Sequence, residues 1–213
     1  LGKEVPAGIS KNIILNVRLP RVLNVALVGA ALSLCGAAMQ GLLRNPLADG
    51  STLGVSSGAS LGAVIALALG VTVPGSEYGG TMLMAMAFAF LSLVLILSLA
   101  YALDHSLATN SIILIGVIFS MFISSVINLI LSFLNDQVRS ITFWTMGSLS
   151  GTGYAHTRIL SLALLICGGV IFRYARELNA FAIGEDNARH IGVNVGRVKL
   201  VILITVSVMI GVC

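Results

Sequence analysis

Charge is what this sequence has least of: Asp, Glu, Lys and Arg together make up 9% of its 213 residues, while hydrophobic residues make up 57%. Soluble domains carry about 25% charge. The shortage excludes a water-soluble globular fold, because so little polar surface cannot cover so much apolar bulk. Cysteine is scarce too. Cys35, Cys167 and Cys213 each stand in an apolar segment without CxxC spacing, which speaks against a disulfide framework or a zinc site and leaves them as small hydrophobes.

Catalytic patterns are also missing. There is no GxxxxGK[ST] phosphate loop, no HExxH, no GxSxG and no intramembrane carboxylate pair, and His105, His156 and His190 fall in three different connections. The chain is therefore expected to hold no catalytic residue, resident metal or cofactor, and any energy for its work must come from a partner. The net charge of +4 does not point to nucleic acid, since the basic residues sit at segment ends rather than in a stripe on one face.

What the sequence does have is apolar length. A bilayer core of roughly 30 Å takes about 20 consecutive apolar residues in a helix. Charge-free runs lie between Arg21 and Arg44, Asp49 and Glu77, Glu77 and Asp104, and Asp104 and Asp136; a shorter one lies between Arg158 and Arg173, and another follows Lys199. They predict helices over about 22–43, 53–73, 81–103, 112–134, 158–173 and 198–213. Such runs lack the alternation of barrel strands, and lipid tolerates only helices or closed barrels. The fold class expected is all-α, a polytopic transmembrane bundle in one domain. The last run is still apolar at Cys213, residue 1 is Leu, and the first 21 residues hold no signal-peptide core, so the sequence is expected to be a piece of a longer protein.

Asn45, Pro46 and Leu47 with Asp49, Gly50 and Ser51 break the first hairpin; Pro74, Gly75, Ser76, Gly79 and Gly80 break the next, and Asp104 to Asn110 the one after. Alternating the loops leaves the 12 basic residues divided six against six, so the positive-inside rule sets no orientation. Small residues recur every four positions, at Gly29, Ser33, Ala37 and Gly41 and again at Gly54, Gly58, Gly62, Ala66 and Gly70. Such faces let membrane helices pack closely or let a ligand approach backbone. Gln40, Asn128 and Asn135 are polar at or near membrane depth, positions that line a route or bond another helix.

The most informative polar stretch is 174–197. Within it Gly184 to Gly192 reads as a short capped helix, with Glu185 and Asp186 in the first turn, Arg189 and His190 in the last, and Gly192 as the stop. Ala182, Ile183, Ala188 and Ile191 give it an apolar side, which suits a membrane surface or a groove in another protein.

Taken together, RLPR (Arg18 to Arg21), GLLRNPLAD (Gly41 to Asp49), LGVSSGA (Leu53 to Ala59), FWTMGSL (Phe143 to Leu149) and GEDNARHIG (Gly184 to Gly192) resemble, in order, the FecCD-type permeases of ABC importers for iron-siderophores, haem and vitamin B12. One departure is Asp49 followed by Gly50, where that family often has an acidic residue followed by proline. The resemblance implies a subunit of ten helices, of which this chain would be the second through the start of the seventh. It also implies a second permease subunit (identical or a close paralogue), two ATP-binding cassette ATPases, a periplasmic or lipoprotein substrate-binding protein, and a place in the bacterial inner membrane. On that likeness Arg18 and Arg21 would dock the binding protein, and the alternative for them is snorkelling anchorage. Region 174–197 would be cytoplasmic, with Gly184, Glu185, Ala188, Arg189, Ile191 and Gly192 coupling to the ATPase. Asn128 and Trp144 would lie along the pathway. The other functional reading is a secondary transporter or channel without an ATPase.

Overall fold

Proline and glycine set where the helices bend and stop. The computed structural model describes residues 11–50, 53–73, 79–103, 109–134, 138–149 and 152–213; Asn135, His105 and the Pro74 to Ser76 break lie outside them. Helix α1 (Lys11–Leu43) is 33 residues long. Its stretch Ile14–Arg18 is π-helical, with the Leu19 amide donating to the Ile14 carbonyl. This wider turn precedes Pro20, whose ring crowds the preceding turn and which has no amide to bond back. Helix α2 (Val55–Leu69) is bounded by Gly54 (φ 72°) and Gly70 (φ 64°), both left-handed. At 15 residues it is about 22 Å long, shorter than the 53–73 segment read from hydropathy.

Helices α3 (Gly79–Leu103) and α4 (Thr109–Phe133) have 25 residues each, and a short α5 (Val138–Thr145) follows. Helix α6 (Tyr154–Arg173) begins four residues before the predicted 158–173: Tyr154, His156 and Arg158 carry polar tips on apolar bodies and are tolerated at a membrane edge. Two short helices, α7 (Ala175–Ala182) and α8 (Glu185–His190), precede α9 (Val195–Val212). Asn194 caps α9, its Oδ1 accepting from the Arg197 amide at 3.1 Å.

Helix α9 is the centre of the bundle. Buried residues make up 56% of its apolar window against 22–28% in the other spanning helices, and it packs on α1, α2, α3 and α6. The closest pairing is α2 on α3. A β-carbon at Gly58 would overlap Ser92, and one at Gly62 would overlap the Met84 carbonyl, so only glycine permits this approach. Gly54 likewise admits α4: a β-carbon there would stand 2.8 Å from the Gly116 carbonyl oxygen. A β-carbon at Gly41 would stand 3.9 Å from Leu178 Cβ, in ordinary contact, whereas one at exposed Gly29 would meet nothing within 4 Å. The Gly29, Ser33, Ala37 stripe faces away from the described helices, because α1 buries the face made by Asn24, Ala31, Cys35, Ala38 and Leu42.

Val22, Leu114, Met121, Phe122 and Leu165 are exposed, an outer surface that water would not tolerate and lipid or further helices would cover. Among the described residues five helices, α1, α3, α4, α6 and α9, are long and apolar enough to cross a membrane. The chain is a multi-pass membrane protein built as a helical bundle.

Candidate functional site

Side-chain bonds sort the connections onto two ends of the bundle. Tyr154 donates to the Leu15 carbonyl at 2.6 Å, which sets the start of α6 beside the start of α1. At the opposite end Thr109, the first residue of α4, donates to Glu185 Oε1 at 2.8 Å, and Lys199 Nζ lies 2.8 Å from Glu185 Oε1 and 2.9 Å from Oε2. That end therefore gathers the close of α1, the starts of α4 and α9, and both short helices.

Here the GLLRNPLAD and GEDNARHIG motifs meet. Arg44 ends α1 in the left-handed region (φ 51°), and its Nη1 would be 3.8 Å from a β-carbon at Gly184. The turn beyond it is held by Gln40 donating to the Pro46 carbonyl at 3.0 Å and the Leu47 amide donating to Asn45 Oδ1 at 2.9 Å. Gly184 adopts φ 115°, ψ 148°, a conformation essentially confined to glycine, and so turns α7 sharply into α8. A cleft of about 360 Å³ between the end of α1 with its turn and the end of α7 is lined by Gln40, Gly41, Arg44, Asn45, Pro46 and Ala182.

Helix α8 has two sides. Ala188 is buried and Glu185 half-buried on the bundle side, while Asp186, Arg189 and His190 are exposed. Ile183 (60% exposed) and Ile191 (65%) flank it, and Leu47 (83%) projects from the neighbouring turn. Gly192, at φ 90°, ends the helix. Asp186 and Glu185 occupy the first turn and Arg189 and His190 the last, so each charge complements the helix dipole. Partial burial by itself would raise the Glu185 pKa, but hydrogen bonds from Lys199 and Thr109 and the charges of Lys199 and Arg189 outweigh it and hold the carboxyl below its ordinary value.

At the other end Arg18 and Arg21 are exposed and form no ion pair among the described residues. Asn128 is exposed on α4 in line with Ser124 and Ser132, spaced four apart, beside Ser125. Trp144 is half-buried in α5, which touches α2. The structure thus gathers Gly184, Glu185, Ala188, Arg189, Ile191 and Gly192 at the end where Arg44 approaches Gly184 and Gly41 lies against α7, and sets Arg18 and Arg21 at the other end.

Sequence reading missed Thr109, which lies within the Asp104 to Asn110 break, and Lys199, which bounds the last apolar run. It also missed Asn24, a fully buried amide in α1 with neither its Oδ1 nor its Nδ2 bonded among the described residues. Helix α7 was missed although Leu178 and Phe181, three apart and both buried, give the one periodic signal in a polar stretch.

The family model described as the FecCD transport family matches residues 3–213. The ABC transporter permease YvrB of Bacillus subtilis is 43% identical over 94% of this chain and 57% of its own length. The cobalamin import permease BtuC of Halobacterium salinarum is 34% identical over 91% of the chain and 51% of its own. The hemin transport permease HmuU of Yersinia pestis is 32% identical over 92% and 59%. The chain thus spans somewhat more than half the length of these curated relatives. A solved structure described as the inward-facing conformation of an ABC transporter assigned to the metal-chelate type superposes with a TM-score of 0.86 at 28% identity, over 100% of this chain and 68% of that one.

Proposed function

Because the chain belongs to the FecCD transport family, we propose that it is the membrane permease portion of an ATP-driven importer for a metal chelate, of the iron-siderophore, haem or cobalamin class, in the bacterial inner membrane. The observation that carries this reading is the face formed where GLLRNPLAD and GEDNARHIG meet: Ile183, Ile191 and Leu47 are exposed apolar residues beside charged Asp186 and Arg189. Apolar anchors rimmed by charge suit docking into a groove of a partner.

On this reading the face is cytoplasmic and seats an ATP-binding cassette ATPase on a separate chain, with Gly184, Glu185, Ala188, Arg189, Ile191 and Gly192 forming the coupling element. Arg18 and Arg21, at the other end, meet acidic residues of a substrate-binding protein. The Ser124, Asn128, Ser132 face of α4 and Trp144 of α5 border the route, because a polar stripe turned to lipid would be costly. A second permease subunit supplies the facing wall. No bond is made or broken in the cargo; closure of the ATPases moves the coupling element and rearranges the bundle.

Copurification from mild detergent tests the assignment. The full-length permease is expected to bring down a Walker-motif ATPase, and Ile191→Asp to lose it. Active transport by a preparation that contains no nucleotide-binding subunit would favour a secondary transporter or channel instead.

A further inference from the structure

We propose that Thr109 and Lys199, with Glu185, form a joint that carries movement of α8 into α4 and α9. This rests on the importer reading given above and adds two residues, Thr109 and Lys199, that neither the motifs nor the docking face contain.

Helix α8 has six residues, too few to act as a rigid lever on its own. Among the described residues its ties to the bundle include packing at Ala188 and the side chain of Glu185, whose carboxylate is shared between two spanning helices. Lys199 lies one turn into α9 and is 3% exposed; both Glu185 oxygens are within 2.9 Å of its Nζ. Thr109 reaches the same carboxylate from the first residue of α4 at 2.8 Å. Helices α8 and α9 are already joined through residues 191–194, whereas Thr109 is 76 residues from Glu185 in sequence, so its bond brings in a helix that the chain does not place beside them.

A buried ion pair is a poor way to add stability, since apolar residues of similar volume commonly serve as well. It is a good way to fix a register between elements that must move together, because a buried charge that loses its partner is strongly penalised. The three helices meeting here have distinct outward parts: α8 carries the exposed docking charges, α4 the Ser124, Asn128, Ser132 face, and α9 the centre of the core. A push on Arg189 or Ile191 is delivered through Glu185 to the pathway helix and the core helix at once. Thr109 and Lys199 act as positioning residues, through Glu185.

The test uses the full-length permease with its ATPase and binding protein in proteoliposomes, carrying Thr109→Val, Lys199→Met, or the exchanged pair Glu185→Lys with Lys199→Glu. The readouts are cargo moved per ATP hydrolysed and the spin-label distance change between Asp186→Cys and Ser132→Cys on ATP binding. Lys199→Met is expected to lower cargo per ATP by at least about tenfold and abolish the distance change, while ATPase copurification is retained. Thr109→Val, which keeps the side-chain shape and therefore the fold, is expected to lower cargo per ATP about threefold, and the exchanged pair to recover most of the loss. Cargo per ATP within twofold of the unaltered complex for both single variants overturns the joint and leaves the importer reading standing. Transport by the unaltered complex that needs no ATPase overturns both.

Discussion

The two ends of this bundle are built on different principles. At the end holding α7 and α8, backbone turns are fixed by Gly184 and Gln40, and a shared carboxylate ties α8, α4 and α9 together. At the opposite end Arg18 and Arg21 stand exposed on a helix surface, and among the described residues α6, packed along α1, is bonded to its start through one hydroxyl on a backbone carbonyl. A surface of exposed charges is suited to an encounter that forms and dissolves, steered by long-range attraction. A knotted end is suited to passing on displacement. On the proposed reading, the first end would meet a working partner and the second a transient one.

The largest effect is expected from cutting the knotted end off from its partner. Glu185→Lys or Arg189→Glu in the full-length complex should lower transport-linked ATP hydrolysis by at least about tenfold, equivalent to about 1.4 kcal/mol of lost coupling; unchanged coupling in both would remove the distinction between the ends. Next, Arg18→Glu with Arg21→Glu should weaken binding-protein docking by about tenfold at low salt, with the difference shrinking as salt approaches about 1 M and screening shortens to a few ångströms. Affinity equal to the unaltered protein at low salt would leave those arginines as membrane anchors.

A smaller effect concerns pH. Glu185 has a folded pKa below its unfolded value of 4.5, so its contribution is complete above 4.5 and fades as pH falls through the lower folded value. The thermal stability of the detergent-solubilised protein should exceed that of Glu185→Gln by a constant margin from neutrality down to about pH 5 and converge with it in more acid solution. A gap that widens on acidification would contradict the ion pair. Tyr154→Phe is expected to do least, costing about 0.5–1 kcal/mol for one exposed hydrogen bond, with transport unaltered. A large transport defect there would mean that the arginine-bearing end is also a worked joint.

How much of this was legible in the sequence follows from what each feature depends on. Spans α3 and α4 were readable because Glu77, Asp104 and Asp136 bracket runs with no charge inside them. The limits of α2 were not, since Gly54 and Gly70 sit within an apolar run and end the helix through backbone conformation, which hydropathy does not register. The Gly184 to Gly192 helix was visible from its dipole-matched charges, but the role of Glu185 was not, because it depends on Thr109, a residue 76 positions away. Lys199 read as a flanking charge and turned out to be buried. The small-residue stripes divided for a similar reason: the Gly58 and Gly62 face met α3, while the Gly29 face met nothing among the described residues, and periodicity alone cannot say which way a helix is turned.

The most direct test of the account is uptake of ferric siderophore, haem and cobalamin, each with its binding protein, into proteoliposomes holding the full-length permease with or without the ATPase subunit and ATP. The account predicts that one of these cargoes enters only when ATPase and hydrolysable ATP are both present. Uptake driven by an ion gradient in their absence would contradict it.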